Sequence, residues 1–147
     1  LEGARRVIHK NYVRPTALEQ IRINAMLKFG CIISAVRKAR GLEVPTRGRN
    51  EVHHLVEGNK RLGHGYTIVL NAWYHRGVVP YPATSKEEAR ARYGAALSDG
   101  RKAFRASHGF DDRDLWVDTQ GRLGMSCDMP LSKIVPRREA KTEAERL

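Results

Sequence analysis

The segment 51–77, EVHHLVEGNKRLGHGYTIVLNAWYHRG, constrains this chain more than any other stretch. Two short β-capable pieces, EVHHL and YTIVL, flank a Gly-containing loop, and a short helix beginning near Asn71 carries 72–77. The order is β-loop-β-α. The intervening loop holds Glu57, Asn59, Lys60, Arg61 and His64 and reads as too polar for a tight hairpin. His53, His54, His64 and His75, four of the six histidines, all fall inside this one segment. Strand alternation sends neighbouring residues to opposite faces, so His53 and His54 are expected to do different work. One binds a metal from the strand end while the other points to an attacking water, and His75 reaches the same metal from the helix. Imidazole suits general-base chemistry near neutral pH, and a metal would activate a scissile phosphate. The remaining histidines carry no such pattern: His9 lies in a basic arm, and His108 ends a basic helix, where the residue is ordinary.

Around this segment the chain reads as helices. Thr16 with Glu19 forms a capping box for ALEQIRINAMLKF, with Leu18, Ile21, Ala25 and Phe29 at helical spacing and Gly30 as the stop. The apolar stretch 31–39 favours burial without deciding between helix and β-leaning link. Ser85 with Glu88 opens SKEEARARYGAAL, whose packing side holds Tyr93 and Leu97. Asp99 is read as the cap of GRKAFRASHG, which Gly109 ends, and DDRDLWVD as a short acid-capped helix supporting Leu115 and Trp116. This predicts a basic N-terminal arm over 1–15, one domain over 16–136 and a charged tail over 137–147.

Charge supplies the substrate class. Lys+Arg number 27 against 16 Asp+Glu, a net +11, and residues 1–50 alone hold 11 basic and 3 acidic groups, or +8. A mostly arginine excess points to a polyanion. Arg47, Arg49, Lys60, Arg61 and Arg76 flank the histidines and are candidate phosphate contacts, with Arg37, Lys38 and Arg40 extending the track. Trp73 and Tyr74 read as core rather than base-stacking groups. No helix-turn-helix reading head is evident, so low base specificity is expected. No run approaches the roughly 20 apolar residues of a membrane span. With two cysteines, a disulfide scaffold is not expected.

The stretch HHLVEGNKRLGHGYTIVLNAWYHRG resembles the core of the HNH, or ββα-metal, nucleases, and more closely the phage-type RecA-dependent nucleases of the recombination-enhancement family. The HHL start, the Arg-Leu-Gly-His middle, the threonine-containing second strand and the His-Arg-Gly end carry the likeness over 52–77. The resemblance implies an α+β fold with a small HNH-type ββα-metal core wrapped by helices, and a metal-dependent DNA endonuclease acting in recombination. It makes His53 the first metal ligand, His54 the general base and His75 the ligand from the helix. His64 becomes a candidate third ligand, phosphate contact or loop brace, and Thr67 or Tyr66 stands near the motif's orienting Asn. The implied cofactor is one divalent ion, Mg2+ or Mn2+, with Zn2+ chemically acceptable in a crystal. The implied partners are DNA, single-stranded or in a D-loop, and a RecA-type recombinase filament, in the cytoplasm of a bacterial host cell. Many HNH relatives add a structural zinc on two CxxC pairs. The corresponding residues here are Cys31, Ser34, Asn71 and Tyr74, which lack three of four thiols, so no structural zinc is expected there. Two rival readings remain at this point. One is a non-catalytic DNA-binding module that keeps the fold. The other is a structural zinc protein in which His53, His64 and His75 share one ion with Cys127 or water.

Overall fold

A computed structural model describes residues 13–127; the expected tail and all but the last three residues of the expected arm, with His9, lie outside them. The elements are α1 (Ala17–Phe29), α2 (Ile32–Ala39), β1 (Asn50–His54), β2 (Val56–Glu57), β3 (Lys60–Arg61), β4 (Thr67–Asn71), α3 (Ala72–Arg76), α4 (Lys86–Tyr93), α5 (Arg101–His108) and α6 (Asp112–Arg122). The fold is α+β. Among the described residues no helix is long and apolar enough to cross a membrane.

An antiparallel pair, β1 with β4, lies at the centre, in the register Glu51↔Leu70, Val52↔Val69, His53↔Ile68 and His54↔Thr67. All five residues of β4 are buried, because helices cover both faces of the ribbon. Ile68 and Leu70 join a large cluster with Ile33, Leu55, Trp73, Tyr74, Phe104 and Trp116. Val69 packs instead with Ile23 and Met26 of α1, and Val52 adds to that second cluster. The period of two therefore sorts the strand residues between two different helical neighbourhoods. Trp73 and Tyr74 are fully buried, as core. Their polar ends are satisfied: Trp73 Nε1 donates to Gly94 O, and the Tyr74 hydroxyl to Tyr93 O.

Asn71 ends β4 and starts α3 in one step. Its Oδ1 accepts from Trp73 N at 2.8 Å, an N-cap, while its Nδ2 donates to Arg47 O at 3.0 Å. Gly77, left-handed at φ 74°, closes the helix after one turn and a half. Cys31 caps α2, with Sγ accepting from Ser34 N, which resolves the undecided 31–39 stretch as helix. Cys31, Asn71 and Tyr74 thus each have a structural partner of their own.

Three local expectations need correction. The capping box at Thr16 and the stop at Gly30 are present, but the stripe Leu18, Ile21, Ala25 and Phe29 faces outward, with Leu18 78% and Ile21 63% exposed. The inward face carries Arg22, Ile23 and Met26. Acceptors on β4 and α6 bind the Arg22 guanidinium, and helical periodicity then turns the apolar stripe away. The polar loop does contain a tight hairpin, β2–β3, because Gly58 and Asn59 both take positive φ (58° and 67°), as a two-residue turn of the primed type requires. Gly100, with no side-chain cap bond, precedes α5; the Asp99 carboxylate instead binds Ala96 N and Arg90. The acid-capped helix, by contrast, extends to eleven residues and has the capping box Asp111–Asp114.

Asn71→Ala removes a buried cap and leaves the Arg47 carbonyl without its donor. It is expected to lower stability by about 1–2 kcal/mol. Urea denaturation checks this: the midpoint falls while the slope with denaturant is unchanged.

Candidate active site

Alternation along β1 places Glu51 and His53 on one face of the ribbon and Val52 and His54 on the other. The histidines consequently form two pairs. On the first face the His53 and His75 rings meet edge to face, centroids 5.2 Å apart. On the second, His54 meets His64 at the same separation.

Each ring of the first pair is backed by a carboxylate. His53 Nε2 lies 3.0 Å from Asp112 Oδ2, and His75 Nδ1 lies 2.8 Å from Glu51 Oε1. Neutral rings donate through these nitrogens, which leaves lone pairs on His53 Nδ1 and His75 Nε2. Asp112 is the first residue of α6 and 4% exposed. Its Oδ1 is buried without a hydrogen bond, with the Arg101 guanidinium 3.8 Å away. Burial works against the Asp112 charge, but His53 and the nearby arginines outweigh it and hold the carboxyl below its usual range. Glu51 accepts both Nε and Nη2 of Arg76, and Arg76 with His75 keeps its carboxyl down at about 2. Sequence reasoning passed over both acids. Glu51 was legible, two residues before His53 and hence on its face; Asp112 was not, since only the packing of α6 brings it to β1.

The second pair sits in a cleft of about 280 Å³ lined by Val13, Glu19, His54, Arg61, Leu62, Gly63 and His64. His54 Nε2 is 3.2 Å from His64 Nδ1, and His64 Nε2 is bonded to the Val13 carbonyl. Both ring nitrogens of His64 are therefore engaged, and neither faces His53 or His75. Burial pushes the His54 imidazole down to about 4, and the Arg61 charge beside it adds to the effect. His54 is thus neutral at pH 7 and able to take a proton. Thr67, opposite His54, donates from Oγ1 to His64 O at 2.9 Å and accepts from Arg22 at 2.8 Å, whereas Tyr66 stacks on Trp116.

The basic residues divide by partner. Arg61 lines the His54 cleft, and Lys60 precedes it on the exposed β3. Arg47 and Arg49 are exposed, with Arg47 against the Tyr81 ring. Arg76 is exposed but holds Glu51. Arg37 is buried on the carbonyls of Glu43 and Arg92, so its charge serves the fold. Arg40 binds the His108 carbonyl and lies over Phe110. His108 is itself buried, donating to Ala95 O.

Among the described residues no group of three or more His, Cys, Asp or Glu is placed to hold a metal ion. The site offers two imidazoles whose 5.2 Å separation suits a shared ion, since rings bound at about 2.1 Å to one tetrahedral centre lie about 5 Å apart. The buried, unbonded Asp112 oxygen beside them fits a neighbouring positive charge. Pairing of His64 with His54 separates it from His53 and His75, against a structural zinc shared by those three.

No curated protein and no solved structure matches the chain. A family profile described as recombination enhancement, RecA-dependent nuclease, matches residues 15–123. That span holds both histidine pairs, their carboxylates and most of the 147 residues, so the chain belongs to the recombination-enhancement, RecA-dependent nuclease family.

Proposed function

We propose that this protein is a metal-dependent DNA endonuclease with a ββα-metal centre built from β1, β4 and α3, cutting with low base specificity. The observation that carries this reading is the carboxylate-backed pair Asp112–His53 and His75–Glu51 beside a neutral His54. Histidines that ligate metals characteristically donate their second ring N–H to a carboxylate, which fixes tautomer and orientation. His53 Nδ1 and His75 Nε2 would hold one divalent ion, Mg2+ or Mn2+ by family likeness, with water and phosphate oxygens completing its shell. Such an ion supplies charge neutralisation at the scissile phosphate and the leaving oxygen.

The chain's own groups do the rest. His54 takes a proton from the attacking water; the water oxygen bonds phosphorus, and the bond to the leaving sugar oxygen breaks. Thr67 braces the loop that carries His64, and Arg61 with Lys60 holds the phosphate backbone at the cleft. Arg47 and Arg49 extend this contact. The family name implies DNA and a RecA-related recombination context; within it our reading takes single-stranded or D-loop DNA beside a RecA-type filament as the partners, in a bacterial host's cytoplasm.

The direct test is cleavage of labelled single-stranded, duplex and D-loop DNA, with and without recombinase, across Mg2+, Mn2+ and Zn2+. No cut product under any of these conditions overturns the nuclease reading in favour of a DNA-binding module. His54→Ala is expected to lower the nicking rate by about 10²–10⁴-fold while DNA affinity stays within error of the parent. Asp112→Asn is expected to weaken divalent-ion binding by about 10–100-fold, read by titration calorimetry with Mn2+. The double change Lys60→Ala with Arg61→Ala should weaken DNA binding equally for unrelated sequences. It should also flatten the plot of log affinity against log salt by about 1.4–1.8, from two lost phosphate contacts.

A further inference from the structure

His64 is bonded through both ring nitrogens, and the two partners differ in kind. The Val13 carbonyl only accepts, so His64 Nε2 must be the donor in that contact. A neutral His64 then presents Nδ1 as a bare acceptor, and the proton between the two rings belongs to His54 Nε2. One backbone oxygen thereby determines the tautomer of two imidazoles in sequence. The position of His64 is held separately: Thr67 Oγ1 donates to its carbonyl at 2.9 Å, and the buried Arg22 fixes Thr67 through Oγ1 at 2.8 Å and through the main-chain oxygen at 3.0 Å. Arg22 is in turn bound to Gln120 Oε1 at 2.7 Å, which ties the brace to α6.

We infer that the Val13 carbonyl and His64 lock His54 in its Nε2–H tautomer, so that Nδ1 is the atom that receives the water's proton. His64 is then a positioning residue acting through His54, not a ligand. This rests on the nuclease reading for its chemical consequence, but the tautomer is a property of the folded protein alone. The arrangement matches what a general base requires: one ring nitrogen committed to an orienting partner and the other left with its lone pair.

Substitution of His64 separates positioning from structure. In His64→Gln the amide oxygen can accept from His54 Nε2–H while the amide N–H₂ donates to Val13 O. In His64→Ala neither contact exists. Long-range 1H–15N spectra of the labelled protein at neutral pH are expected to show His54 protonated at Nε2 in the parent and in His64→Gln, and a mixture of tautomers in His64→Ala. Cleavage by His64→Ala is expected to lose about 10–100-fold in kcat with KM little changed, and His64→Gln to recover most of it. Circular dichroism melts show whether each variant is folded. Protonation of His54 at Nδ1 in the folded parent overturns the inference, and so does a kcat for His64→Ala equal to the parent's. Failure of the parent to cut any substrate overturns the nuclease reading instead, and the spectra still decide the tautomer.

Discussion

The pairing of β1 with β4 is the constraint on which everything else in this protein depends. Five residues of β4, all buried between two sets of helices, pair with five of the half-buried β1, and the register is fixed by which side chains tolerate burial. A slip of one position would put Ile68 and Leu70 where Val69 sits and would exchange the two histidine faces. The same alternation that sends Val69 to α1 and Leu70 to the main cluster sends His54 to the face of Thr67 and His64, and His53 to Asp112 and His75. Core formation and the sorting of the histidines between two faces are one event.

Both faces of the ribbon contain buried charge, which is costly without partners. Arg22, 3% exposed, is tolerated because Gln120, Thr67 and the Thr67 main-chain oxygen meet its donors. Desolvation still lowers its pKa to about 10. Asp112 is only partly met, by His53 through one oxygen and by Arg101 at a distance through the other. Arg22, through Thr67, and Asp112 directly each lie behind a histidine of the candidate site, so two of the least forgiving interactions of the fold also orient its imidazoles.

Much of this was legible in the chain itself. The β-loop-β-α order, the Asn71 start of α3, the Thr16 capping box and the burial of Trp73 all follow from short-range patterns, because caps and alternation act over a few residues. The helix α1 shows where that legibility stops: its apolar stripe predicted one face, yet the guanidinium of Arg22 has its acceptors on elements 45 and 98 residues away in sequence. The +8 charge of the first fifty residues likewise overstated the free cationic surface, since Arg22 and Arg37 are used inside the fold.

The sequence by itself determined that His53 and His54 diverge, that His75 returns on a short helix and that basic residues flank them along the chain, because period and spacing are local properties. Only the tertiary structure decided which partner each ring meets. Asp112 reaches His53 from 59 positions away, and Val13 reaches His64 from 51. Those contacts depend on how helices dock against the ribbon, and docking is set by the summed packing of distant residues. No short pattern along the chain encodes it.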